Sequence, residues 1–209
     1  MFHSVSSIEN IHWENLPFVP LVLIFKFLEN RDRLNASLAC QNWYNAFECG
    51  ILWERFNLVF HGDMIDDTRK AVKFVKKHAA SLKHLSIQFR RINMIPLQDG
   101  INNLKQLFEH LEDSCQLHDF HLENFFHPQQ GNLNRTLNTR PTVDAFKAFV
   151  KSQRNLKRIN FFNVRLSEKD GLDILTEIAS KNESLQSLGL THFLEGTADA
   201  HKYVRKFLS

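Results

Sequence analysis

Apolar and polar positions alternate in two different rhythms along this chain. Early on the period is helical. Leu21, Ile24, Phe25 and Leu28 stand at offsets 0, 3, 4 and 7, which predicts one apolar face of a helix. Arg31-Asp32 breaks that run, and Leu34 and Leu38 at i, i+4 spacing predict a second short helix. Trp43, Ala46 and Phe47 predict a third. Three short helices leave most of their surface wet and form a core too small to stabilise itself easily. Residues 1–60 are therefore expected to form a module that borrows burial from a partner, and to be unstable alone.

Beyond it the rhythm changes. Asn57 to Phe60 reads as a short apolar strand-like exit and His61-Gly62-Asp63 as a turn. Asp66-Asp67-Thr68 opens a helix whose acidic start suits the positive end of the helix dipole. Its apolar face is Ala71, Phe74, Val75 and His78; Arg69, Lys70, Lys73, Lys76 and Lys77 form a basic face. Then a motif recurs: Leu82-x-x-Leu85-x-Ile87, Leu117-x-x-Phe120-x-Leu122, Leu156-x-x-Ile159-x-Phe161 and Leu185-x-x-Leu188-x-Leu190. The last three add Phe125, Val164 and Phe193 at the ninth position. The steps are 35 (117 minus 82), 39 (156 minus 117) and 29 (185 minus 156). Each interval holds a helical stripe. These are Ile101, Leu104, Leu107, Phe108 and Leu111; Val143, Phe146, Phe149 and Val150 after Pro141-Thr142; and Leu172, Leu175, Ile178 and Ala179. Ser167 with Asp170 gives the last stripe a capping-box-like start. Pro128 to Arg140 is polar and reads as an insertion loop.

A strand and a helix repeated at such periods is the signature of a solenoid, and the strand motif resembles a leucine-rich repeat. Neighbouring repeats then bury a core that no single repeat builds. If the Leu-type residues face the helices, alternation turns the others outward: His84, Ser86 and Gln88; Asp119, His121 and Glu123; Arg158, Asn160 and Phe162; Ser187, Gly189 and Thr191. The rows make one continuous sheet surface. Arg158, Asn160, Phe162, His121 and Glu123 are the expected target-binding residues. Phe162 leads them, because an outward aromatic beside Arg158 has the composition of an interface hot spot. Pairing of Arg158 with Asp119 or Glu123 is the plain alternative for that residue.

Composition narrows the function classes. The chain has 209 residues, 43% hydrophobic and 23% charged, with 19 Phe and only 7 Gly. Its net charge of +3 is too weak for a dedicated nucleic-acid binder. The basic helix face lacks interleaved aromatics that would stack bases and reads as a solvated face. Cys40, Cys49 and Cys115 are odd in number and form no Cys-x-x-Cys, as expected of buried thiols in a reducing compartment. No basic-then-apolar signal pattern opens the chain. Phe18 to Phe25, interrupted by Pro20, is too short to span a bilayer. Asn35-Ala-Ser37, Asn134-Arg-Thr136 and Asn182-Glu-Ser184 match the glycosylation pattern by chance on this reading. Cys115, His118 and His121 hint at metal ligands. His118 and His121 would point to opposite faces of a strand, and no fourth ligand has suitable spacing, so no metal or other cofactor is expected. No phosphate loop, nucleophile elbow or zinc-protease motif is present, and no catalytic residue is assigned.

The early stretch as a whole carries a resemblance. Leu16-Pro17, the Leu21-x-x-Ile24-Phe25-x-x-Leu28 helix, the Asp32-x-Leu34 turn, Cys40-x-x-Trp43 and Leu52-Trp53 together resemble an F-box. Trp13, Trp43 and Trp53 fall where that family favours tryptophan. Pro20 stands where the family often carries Glu, and the helix is expected to start near it. The resemblance implies docking on the Skp-type adaptor of cullin-type SCF ubiquitin ligases, through Leu16, Pro17, Leu21, Ile24, Phe25, Leu28, Leu34, Leu38 and Trp43. It implies a non-catalytic substrate receptor in the cytoplasm, the nucleus or both, with residues 61–209 holding a target protein. The rival is a scaffold that binds the adaptor without directing ubiquitylation. The basic helix, Val75-Lys76-Lys77 leading to Leu82, and the late Leu166-Ser167-x-x-x-Gly171 helix are similar to F-box only proteins thirty-three and thirty-nine. Tyr203, Val204, Phe207 and Leu208 read as a helix that caps a short array, unless the chain is a shortened relative.

Overall fold

The computed structural model describes residues 12–61, 64–90, 98–125 and 138–195. The Gly62-Asp63 turn, most of the polar stretch from Pro128 and the apolar residues Tyr203 to Leu208 lie outside them. The chain divides between Trp53 and Glu54 into two compact units.

The first unit is helical: α1 (Phe18–Phe27), α2 (Asn30–Ser37) and α3 (Gln41–Phe47), with 3-10 turns at Trp13–Asn15 and Gly50–Leu52. α1 begins two residues before Pro20. A proline costs no hydrogen bond there, because the first N–H groups of a helix lack intrahelical partners. The core is small: Leu21, Val22, Phe25, Ala46, Leu52 and Trp53 are buried. Arg33 ties it together. Its Nε donates to the Phe25 carbonyl (2.8 Å), its Nη1 to Leu52 (2.9 Å) and its Nη2 to Lys26 (3.3 Å), with the guanidinium over the Trp53 ring. Two of these carbonyls belong to the last turn of α1, where Phe25 has one further donor, the N–H of Leu28 (3.1 Å). Asn42 Nδ2 donates to the carbonyls of Leu16 (2.8 Å) and Glu14 (3.1 Å), and Trp43 Nε1 donates to that of Trp13 (3.0 Å), so α3 holds the leading arm.

The second unit is a parallel sheet in chain order, β1 (Arg55–Phe60), β2 (His84–Phe89), β3 (Asp119–Glu123), β4 (Arg158–Phe162) and β5 (Ser187–Thr191). Between successive strands lie α4 (Met64–His78), α5 (Gln98–Ser114), α6 (Arg140–Ser152) and α7 (Glu168–Lys181), each packed on the next. The dividing point falls a few residues ahead of the expected boundary at residue 60. Arg55 pairs with His84, so β1 is a full strand of the sheet, 29 residues (84 minus 55) before β2.

The core forms where the strands' inward positions meet the helices. Leu85, Ile87, Phe120, Leu122, Ile159 and Phe161 are buried against the stripes of α4 to α7. Phenylalanine fills this space edge to face, as in Phe120–Phe149 (5.2 Å), Phe108–Phe146 (5.3 Å) and the stacked Phe161–Phe193 (5.1 Å). Side-chain amides join neighbouring strand ends. Asn124 and Asn163 take positive φ (58° and 56°), a region asparagine tolerates, and Asn163 Nδ2 donates to Asn124 Oδ1 (2.8 Å). At the opposite strand ends, buried Gln153 accepts from Leu117 N (2.9 Å) and buried Asn182 from Leu156 N (2.9 Å).

Two expectations need correction here. In α7 the buried stripe is Gly171, Ile174, Leu175 and Ile178, while Ala179 is exposed and Leu172 half-buried. Gly171 sets this phase: a Cβ there would lie 2.1 Å from Leu194 Cδ2, so the helix packs closest where a side chain is missing. Arg140 is not loop but the first residue of α6. It reaches buried Asp170 through Nη1 (2.8 Å), beside Lys147 Nζ on the same carboxylate (2.7 Å).

Candidate functional site

The first unit presents an apolar surface out of proportion to its size. Trp13, Phe18, Val19, Leu23, Ile24, Phe27, Leu34, Leu38, Tyr44 and Ile51 are all exposed large hydrophobics; the only other one among the described residues is Phe162. Phe27 is 90% and Leu38 77% accessible. Soluble proteins rarely leave so much apolar surface together without covering it with a partner. The cause is local: Phe18 to Phe27 reads FVPLVLIFKF, apolar all round, so inward packing of Leu21, Val22 and Phe25 necessarily turns Val19, Leu23, Ile24 and Phe27 outward.

The nine expected adaptor-binding residues therefore separate. Leu21 and Phe25 are wholly buried within the unit. Trp43 is half-buried, with its ring edge-on to Phe25 (5.9 Å). Pro17, Ile24, Leu34 and Leu38 are exposed, and Leu16 and Leu28 are half-buried. Periodicity missed Val19, Leu23 and Phe27 because an all-apolar run has no phase to read; their density was the available signal.

The second unit offers a polar face. Strand register places His84, Asp119, Arg158 and Ser187 in one row, Ser86, His121, Asn160 and Gly189 in the next, and Gln88, Glu123, Phe162 and Thr191 in a third. Phe162 is 41% exposed, so the sheet turns it outward. A groove of about 630 Å³ crosses the first two rows, with Arg55 and Asn57 extending it onto β1.

Asp119 is the electrostatic centre of this face. His84 Nδ1 (2.5 Å) and Arg158 Nη2 both donate to its Oδ2, while Oδ1 is buried without a partner. Burial alone would raise its pKa; the donors from Arg158 and His84 outweigh that and hold the carboxyl below its ordinary value. Because an ionised carboxylate only accepts, His84 carries its proton on Nδ1. Arg158 is thus the paired residue of the plain alternative, though still exposed. His121 Nε2 lies 3.4 Å from Glu123 Oε2, so those two expected contacts engage each other. Asn160 is exposed.

His118 precedes β3, and its ring stands edge-on to that of His84 (6.1 Å). Burial, then Lys157 and Lys83, lower its pKa. Cys115 is buried, and that burial pushes its thiol up to about 12, far from the thiolate that nucleophilic or ligating cysteines need. Among the described residues no cluster of histidine, cysteine and carboxylate side chains suits a metal ion, and no helix is long and apolar enough to cross a membrane.

Comparison with known proteins bears on the first unit most directly. Residues 13–59 match the F-box-like family. F-box/LRR-repeat protein 21 of Bos taurus is 30% identical over 89 residues, 37% of this chain and 19% of that protein. Its counterparts in Mus musculus and Ovis aries are 29% and 28% identical over the same shares. The match thus spans about a fifth of the length of these curated relatives. The second unit is a mixed array of helices and parallel strands, and residues 13–59 are similar to the F-box-like family.

Proposed function

We propose that this chain is a substrate receptor of a cullin-type ubiquitin ligase. Its F-box-like domain docks on a Skp-type adaptor, and its strand–helix units, read as a leucine-rich-repeat-like solenoid, hold a target protein. One observation carries the docking half: among the described residues, ten large hydrophobic side chains stand exposed on the small first unit, whereas the second leaves only Phe162 so. Covering a single such side chain is worth roughly 1.5–3 kcal/mol, so a micromolar complex, about 8 kcal/mol, calls for several of them to be covered at once. The name of the matched relatives, F-box/LRR-repeat protein, supports both halves, and the chain-order parallel sheet supports the second.

The mechanism is proximity. A receptor that binds target and scaffold at once makes ubiquitin transfer effectively intramolecular and performs no bond chemistry itself. A cytoplasmic or nuclear location belongs to this reading, as does the likeness to F-box only proteins thirty-three and thirty-nine. Co-expression of the full chain with a Skp-type adaptor and a cullin tests it. Both should co-purify with the chain. Adaptor without cullin would favour the scaffold alternative, and absence of both would overturn the proposal.

A further inference from the structure

We propose that the outward face of β4 takes an extended target segment bearing a carboxylate side chain, seated on Arg158 in the groove, and an apolar side chain, seated on exposed Phe162 beyond the groove's edge. This rests on the reading of that face as the target-holding surface.

Arg158 is built for the first contact. Its Nη2 donates to Asp119, whose Oδ2 is also held by His84, so the guanidinium is fixed from below. Its Nε and Nη1 make no hydrogen bond among the described residues, and the side chain is exposed. An oriented guanidinium with a free edge matches the planar fork of a carboxylate and loses little freedom on binding it. The surrounding charge agrees. Backbone bonds from His118 N to Lys83 O and from Lys157 N to His118 O (2.7 Å each) bring both lysines to the same end of the strands. Arg55 stands in register with His84 on the edge strand. With Arg158 they make four cations near these strand ends, and the carboxylate of Asp119 is already engaged by Arg158 and His84. A carboxylate fits better than a phosphate, because a dianion on Arg158 would also face the Asp119 charge beside it.

Phe162 lies four residues along β4 from Arg158, about 13 Å at strand rise, the reach of about four extended residues. Between them the surface is low. Gly189 is the neighbour of Asn160, and a Cβ there would come within 2.7 Å of Asn160 Oδ1. Its absence leaves Asn160 room beside an extended backbone, which the amide can pair with.

The test offers the full chain a random decapeptide library and sequences the retained peptides. Enrichment of Asp or Glu at one position, with an aromatic or branched aliphatic residue about four positions away, is expected. Arg158→Gln should abolish the acidic preference and keep the apolar one; Phe162→Ser should do the reverse. Both are exposed positions, and unchanged circular dichroism checks their folding. No selection, selection for basic residues, or an acidic preference that survives Arg158→Gln overturns the proposal. Selection seen only with a fixed phosphoserine overturns the carboxylate assignment. Adaptor capture by the same preparations is read separately: its loss with peptide selection intact counts against the docking reading and leaves this one standing.

Discussion

Arg33 carries more of the first unit than its polar surroundings suggest. It supplies donors to three carbonyls, two of which end α1. Arg33→Ala should weaken the helical unit by about 2 kcal/mol, read as faster hydrogen exchange of the α1 amides with the sheet amides unchanged. Arg33→Lys should not restore it, since an ammonium cannot span three separated acceptors in one plane. Gly171 is the matching case in the second unit. Gly171→Ala places a methyl 2.1 Å from Leu194 and should lower stability by roughly 1–3 kcal/mol in denaturant titration. Periodicity reads apolar positions, so it located Phe162 correctly but passed over Arg33, which sits in the polar run Asn30-Arg31-Asp32-Arg33. The Asp119–Arg158 pair was legible as an alternative because register follows from alternation alone; the share of His84 was not, since it depends on a ring orientation.

Among the elements, α6 and α7 are joined by charge as well as by packing. Asp170 is buried, yet accepts from Ser167 Oγ (2.7 Å), Lys147 and Arg140. Burial raises its pKa, and these three donors outweigh that to bring it to about 2, against 3.8 for a free side chain. A depressed folded pKa stabilises above the unfolded value. That contribution, about 2 kcal/mol, is complete above pH ~4 and is lost as the pH falls toward 2. Asp170→Asn should remove it at neutral pH and flatten the acid limb of a stability–pH curve. An equal acid slope in the variant would show that other carboxylates dominate. The capping pair Ser167 and Asp170 was visible in the sequence; the partners Lys147 and Arg140 were not, because they come from another helix and from a stretch that reads as loop. α1 shows the opposite limit. Its existence was plain from composition, but its buried side could not be chosen, since an apolar residue stands at every angle.

For the whole molecule, four of the five strands could be read from the recurring Leu-type motif. β1 was legible only as a strand-like exit over Asn57 to Phe60 and not as a member of the array, because it lacks the leading Leu of the motif and has no earlier strand to be compared with. The division into two units reflects the same physics: one has a chain-order sheet with a continuous core, while the other, among the described residues, buries six apolar side chains and exposes ten large ones. That imbalance leaves apolar surface for the proposed adaptor to cover. Titration of a Skp-type adaptor against the full chain carrying Ile24→Asp and Phe27→Asp tests it most directly. Both residues are exposed, so the fold should persist by circular dichroism. Each should cost roughly 1.5–3 kcal/mol of binding, together at least about a hundredfold in affinity. A folded double variant that binds the adaptor as tightly as the unmodified chain would contradict the account.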